Sequence, residues 1–299
     1  MRYLGLALVL TACSVAPGQP AMTTGFPPPN TTTYPTGPPS TSATTIDDLP
    51  ATTTTTNAVT VPQLDEYGRP AWLGTIALPV DEQGFGEVRP TPPELVGRAF
   101  GTVDTLPPPT GTGFVFSISR VPDEVVARST WSEGCPVGVD DLSYVTVSHV
   151  GFDGLVHTGE LLVHQSAADE IVEVFELLFA AQYPIEEMRV VSAPELDLPP
   201  TGDGNNTTIF VCRPATGGTN WSQHAYGLAI DVNPFQNPYW KGDLVLPELA
   251  DYYTDRATGA VGIIVDGDAV TEAFRSIGWG WGGHWSSLKD WMHFSRNGR

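Results

Sequence analysis

Apolar and polar positions fall into regular periods only after about residue 110. Phe114-Val115-Phe116-Ser117-Ile118 and the run from Ser143 to Val150 are dominated by β-branched and aromatic residues and read as strands; Glu160 to His164 is a third. Between Ser166 and Gln182, Ile171, Val174, Phe175 and Leu178 return at intervals of three and four, the signature of a helix with one buried face. Ser166, with Asp169 three positions on, has the form of an N-cap. Further short strands are expected over 188–192, 208–212 and 227–232, a Gly/Asn/Asp-rich loop from Pro199 to Thr208, and a second helix from Val270 to Ile277. Most strands are separated by turns rather than by crossover helices. The expected fold class is therefore α+β, a mostly antiparallel sheet flanked by helices.

The first hundred residues follow other rules. Behind Arg2, the run Leu4 to Leu10 is apolar but too short to span a bilayer, as in a secretory signal. It stops at Leu10-Thr11-Ala12-Cys13-Ser14, which resembles a bacterial lipobox in which Cys13 is acylated and becomes the mature N-terminus. From Ser14 to Pro62 about half the residues are Thr or Pro, and no Lys or Arg occurs between Arg2 and Arg69. Such a stretch has too little apolar surface to offset its ordering entropy and is expected to be a disordered stalk. Residues 63–110, punctuated by Pro90, Pro92, Pro93 and Pro107 to Pro109, read as a strap on the globular part or as a further linker. The expected organisation is a signal and lipobox over 1–13, a stalk over 14–62, the strap or linker over 63–110 and a catalytic domain over 111–299.

Charge narrows the partners. The formal net charge is −20 and the only lysines are Lys241 and Lys289, so neither nucleic acid nor a polybasic grip on an anionic membrane fits. Membrane attachment would come from acyl chains on Cys13 instead. With Cys13 set aside, Cys135 and Cys212 form an even pair in an exported chain, and a disulfide between them is expected.

Six histidines occur, and their neighbourhoods differ. His149, His157 and His164 lie in or beside strand-like segments without an acidic or His partner at metal spacing, and read as structural. His224 stands in Ser222-Gln223-His224-Ala225-Tyr226-Gly227-Leu228-Ala229-Ile230-Asp231. On a strand from Gly227, Leu228, Ile230 and Val232 share one face while Ala229 and Asp231 share the other, setting a carboxylate on the face of least bulk. On spacing alone, a surface Asp near a turn His reads as well as a ligand pair. Downstream come Gly278-Trp279-Gly280-Trp281-Gly282-Gly283-His284-Trp285 and Asp290-Trp291-Met292-His293-Phe294, a Trp-rich wall around further acid/base side chains. Catalytic Zn²⁺ commonly takes three protein ligands and keeps a fourth position for water. With His224, Asp231 and His293 as ligands, the ion would lower the pKa of that water towards 7, and Asp290 is close enough in sequence to serve as general base.

The pattern Ser-x-His-x-x-Gly-x-Ala-x-Asp, then Gly-Gly-x-Trp and Asp-x-x-His-Phe, resembles the zinc D-alanyl-D-alanine carboxypeptidases and L-alanyl-D-glutamate endopeptidases, cell-wall peptidases related to VanX and VanY. The likeness runs from about Trp131-Ser132-Glu133-Gly134-Cys135-Pro136 to Phe294. It implies a hedgehog/DD-peptidase-like fold, His224, Asp231 and His293 as zinc ligands and Asp290 as catalytic base. It further implies that Ser222 helps to seat substrate and that Arg213 holds a carbonyl oxygen or a substrate carboxylate. VanX- and VanY-type members carry Glu where this chain has Asp290, whereas the L-alanyl-D-glutamate branch has Asp. His284 falls at the variable position of Gly-Gly-x-Trp and reads as a rim residue.

The function expected is a zinc-dependent, extracytoplasmic, lipid-anchored peptidase, monomeric, acting on peptidoglycan stem peptides. The alternatives are a catalytically inactive zinc-containing lipoprotein that binds the cell wall, and a surface protein whose metal is structural. The last requires four closed ligands, for which only His284 is on offer.

Overall fold

The computed structural model describes residues 63–299; the expected signal, the Cys13 lipobox and the 14–62 stalk lie outside the described residues. In chain order the regular elements are β1 (Phe116–Arg120), α1 (Asp123–Arg128), β2 (Leu142–Val150), β3 (Val156–His164), α2 (Ala168–Ala180), β4 (Glu187–Met188) and β5 (Asn206–Thr207). They continue with β6 (Ala229–Asp231), β7 (Tyr239–Lys241), β8 (Leu244–Leu246), α3 (Ala269–Ser276), β9 (Gly280–Trp281), β10 (Lys289–Asp290) and β11 (His293–Ser295). Three antiparallel sheets, ordered β1-β2-β3, β6-β11-β9 and β10-β7-β8, are joined by one parallel pair, β4-β5. The class is α+β. Among the described residues no helix is long and apolar enough to cross a membrane.

The long β2–β3 hairpin is buried on both faces, because its apolar side chains serve two cores. Val145, Val147, Leu161 and Val163 meet α2 on one side, while Leu142 and Leu162 join Val121, Val125, Val190 and Phe210 on the other. Helix α2 buries Ile171, Val174, Phe175 and Leu178, the face its three- and four-residue spacing predicts. Burying each such side chain stabilises by about 1.5–3 kcal/mol. Beyond α2 the same core continues through Phe274 of α3, Ile230 and Phe294, so β6 and β11 rest on a rigid base. The Cys135–Cys212 disulfide closes the edge of the smaller core.

Residues 63–110 carry little regular structure, yet Leu78, Leu95 and Phe100 are buried against Phe235, Val245, Leu249 and Tyr253. Arg98 fixes this segment: its guanidinium reaches Glu186 through Nε–Oε2 at 2.9 Å and Nη2–Oε1 at 2.6 Å, with both side chains almost fully buried.

Local differences from the sequence reading have physical causes. Ser166 does not cap α2; its hydroxyl is taken up by His164 Nδ1 and Arg296, and Ala167 occupies the cap position. The 188–192 strand shrinks to Glu187–Met188, since Arg189 turns away to bond Glu187 and Glu195. The 208–212 segment forms no strand: a bend at Ile209 interrupts it, and it pairs only through a bridge from Thr208 to Asp231. Asn206–Thr207 forms a strand inside the expected 199–208 loop. His157 is not without acidic partners: Asp104 and Asp153 lie 2.9 and 3.1 Å from its two ring nitrogens, Asp104 coming from far away in the chain.

Candidate metal centre

A short 3-10 turn, Gln223–Tyr226, carries His224, and Ser222 caps it by accepting the His224 N–H at 3.3 Å. The turn ends at Gly227 with φ +67°, a left-handed conformation that favours glycine. A Cβ here would also lie 2.6 Å from the His164 backbone nitrogen, which donates to the Gly227 carbonyl. Gly227 is therefore a cap and a close-approach point, and the strand expected from 227 starts at Ala229 instead.

The antiparallel pairing of β6 with β11 sets His293 directly opposite Asp231. Side chains opposite one another in such a pair share a face. Ile230 and Val232 take the core side, leaving Asp231 on the site side as the alternation predicts. His224 Nε2 lies 3.2 Å from Asp231 Oδ1 and 3.3 Å from His293 Nδ1, and the third edge, His293 Nδ1 to Asp231 Oδ1, is 3.1 Å.

Proton placement within this triangle follows from the outer contacts. His224 Nδ1 is 2.7 Å from the Ile209 carbonyl and His293 Nε2 is 3.4 Å from the Arg299 main-chain oxygen. A carbonyl only accepts, so these nitrogens carry the ring protons and the other two present lone pairs inward. Two imidazole lone pairs and a carboxylate oxygen thus converge with no proton between them in the neutral rings. A tetrahedral ion with ligand bonds of ~2.0–2.1 Å sets its donors about 3.3–3.4 Å apart, close to the triangle observed. Outer carbonyl partners that fix the ring tautomer are also what metal-bound histidines use. Among the described residues His224, Asp231 and His293 are the group able to hold a metal ion. His284 is not part of it: it points outward and bonds Asp266 at 2.9 Å.

Burial opposes ionisation of Asp231, but the adjacent His224 and His293 outweigh it and hold its carboxyl below the usual carboxylate range. Asp290 behaves in the opposite way. Burial pushes it up to about 7; His293 opposes the shift, Asp231 adds to it and Arg213 opposes it more weakly. Its Oδ1 is buried without a hydrogen-bond partner among the described residues. A buried orphaned carboxylate oxygen is costly and calls for a role. Gly282 makes the position possible, because a Cβ there would fall 2.4 Å from the Asp290 carbonyl oxygen.

These groups share a cleft of about 320 Å³ lined by the triangle, Asp290, Ser222 and Arg213. Among the described residues the guanidinium of Arg213 bonds only neutral oxygens, Pro214 O at 3.1 Å and Thr216 Oγ1 at 3.4 Å, leaving its charge for a ligand. Trp285 adds an aromatic wall, its ring 5.4 Å from that of His293. Tyr239 was not legible as a site residue: it enters the cleft because β7 pairs it with Asp290, and burial together with that carboxylate raises its pKa. No local motif around Tyr239 signals this, since the pairing joins segments far apart in sequence.

Residues 216–296 match a family model described as D-alanyl-D-alanine carboxypeptidase. No curated protein and no solved structure gives a match. The matched segment spans Ser222, His224, Asp231, Asp290 and His293, while Arg213 and both cysteines of the disulfide lie outside it. Members of this family are metal-dependent, in keeping with the donor set, and act on cell-wall peptides. Residues 216–296, which hold the His224, Asp231 and His293 triangle and its adjoining carboxylate, are thus similar to the D-alanyl-D-alanine carboxypeptidase family of peptidases.

Proposed function

We propose that this chain is a zinc-dependent peptidase that hydrolyses peptidoglycan stem peptides, of the D-Ala-D-Ala carboxypeptidase or L-Ala-D-Glu endopeptidase type. The observation that carries this reading is the triangle of three inward lone pairs beside a buried, unpartnered carboxylate in one open cleft. A cation held by His224 Nε2, Asp231 and His293 Nδ1 supplies Lewis acidity at the head of the cleft.

The chain's own groups supply the rest. Asp290 takes a proton from the attacking water as its oxygen bonds to the scissile carbonyl carbon, and returns that proton to the amine as the C–N bond breaks. A basicity near neutrality suits both transfers. The free guanidinium of Arg213 stabilises negative charge on the substrate, either the developing oxyanion or a terminal carboxylate. Ser222 keeps the His224 turn in place and lends its hydroxyl to the cleft wall. A lipid on Cys13 and the Thr/Pro-rich stretch after it would tether the enzyme outside the cytoplasm.

An inactive wall-binding protein with the same ligands would have no use for Asp290, whose buried ionisable group is costly to retain. The test is mass spectrometry of purified muropeptides incubated with the full chain, His224→Ala and Asp290→Ala. The wild type should release a stem-peptide fragment and both variants should not. Undiminished cleavage by either variant contradicts the assignment.

A further inference from the structure

Beside the metal cleft lies a second groove of about 510 Å³, lined by Thr219, Asn220, Trp221, Gln223, Tyr226 and Leu228. Trp221 and Gln223 line both spaces, so the two are adjoining compartments with a common wall. The groove exists because residues 215–220 form a turn closed by the Pro214–Trp221 bridge and the Ala215 N–H to Asn220 carbonyl bond. That closure holds the indole out from the surface, 40% exposed, although Trp is a residue chains ordinarily cover.

The lining defines its ligand by exclusion. It contains no Asp, Glu, Lys, Arg or His, so an ionic ligand finds no countercharge. Yet it offers two amides, two hydroxyls and an indole N–H, and none of these side-chain groups hydrogen-bonds to protein among the described residues. A purely apolar ligand would leave those groups dry and unpaired, which is costly. What fits is a neutral molecule with one apolar face for the indole and several hydroxyl or amide groups at its edge. A pyranose ring with an N-acetyl substituent has that distribution.

We infer that this groove is a saccharide subsite, which seats a β-linked N-acetylamino-sugar unit while the peptide joined to the same glycan enters the metal cleft. Trp221 stacks on the apolar face of the ring, and Asn220, Gln223, Thr219 and Tyr226 exchange hydrogen bonds with its polar edge. The identity of the sugar as part of the substrate rests on the peptidase reading, but binding of the sugar does not. The role of Trp221 as shared wall makes the groove a determinant of which muropeptides are accepted.

The experiment titrates the full chain with the peptide-free β-1,4-linked tetramer of N-acetylglucosamine and follows indole N–H resonances by NMR. A saturable shift of the Trp221 signal is expected, with affinity about tenfold weaker in Trp221→Ala. Asn220→Ala, an exposed turn position, is expected to weaken binding as well and serves if Trp221→Ala fails to fold. Trp240→Ala, an equally exposed Trp outside the groove, should bind as the wild type does. The same titration on Asp290→Asn separates the two claims, since sugar binding there survives whether or not the protein hydrolyses peptides. No saturable shift, or wild-type affinity in the folded Trp221 or Asn220 variant, overturns the inference.

Discussion

His293 and Asp231 face each other across the β6–β11 pairing, Nδ1 3.1 Å from Oδ1, so one backbone register fixes two corners of the proposed metal site. Asp231→Asn keeps the size of the side chain but removes its charge from among three inward lone pairs. Loss of a metal's outer partner commonly costs 10–100-fold in affinity, and loss of a direct ligand is expected to exceed about 100-fold. Dialysis against zinc followed by elemental analysis should find about one equivalent in the wild type and far less in the variant.

Metal removal should also be visible in stability. An ion that binds only the folded chain adds about 4 kcal/mol at a thousandfold excess over its dissociation constant. Chelation should lower the Tm of the wild type and leave that of Asp231→Asn nearly unchanged. Equal shifts in both proteins would place the metal elsewhere.

Asp290 gives the metal-free protein a pH signature. Its folded pKa of about 7 stands above the ordinary 3.8, so the folded state binds the proton more tightly than the unfolded one. The corresponding stability is fully present at low pH and is lost as pH rises between those two values. Urea titrations of chelated protein at pH 5 and pH 8 should show that fall, and Asp290→Asn should flatten it. A fall of the same size in the variant assigns the effect to another group.

Gly227 and Gly217 both have positive φ, but only Gly227 has a neighbour within reach of a Cβ. Gly227→Ala should cost the left-handed strain of about 1–2 kcal/mol plus the displacement of His164, whereas Gly217→Ala should cost the strain alone. Urea midpoints at constant m separate the two. Equal losses would mean that the contact with β3 is not what holds the His224 turn.

The Arg98–Glu186 pair ties the 63–110 region to the body of the protein. Arg98→Met leaves a buried carboxylate uncompensated and should destabilise by about 3–5 kcal/mol, while Arg98→Met with Glu186→Met should recover much of that loss. A double-mutant cycle by urea unfolding checks it; additive losses would show the two residues act independently.

Which features could be read from sequence depended on how far apart their causes lie. Helix α2 and strand β2 announce themselves because their buried faces repeat every few residues. The grouping of His224, Asp231 and His293 was legible as a motif, and the side choice of Asp231 followed from strand alternation next to Ile230 and Val232. Gly227 was read as small but not as left-handed, since its φ is imposed by a turn that must pass against His164. Ser166 looked like a cap until Arg296, distant in sequence, claimed its hydroxyl. The acids around His157, the entry of Tyr239 into the cleft and the burial of Leu78, Leu95 and Phe100 all arise from long-range packing, which leaves no local period.

The most direct test of the proposed chemistry is a zinc titration of chelated full-length protein with muropeptide hydrolysis as the readout. No cleavage is expected at zero zinc, followed by a linear rise and a break at about one equivalent. Cleavage that persists in the chelated protein, or its absence with one zinc bound between His224, Asp231 and His293, would contradict that chemistry.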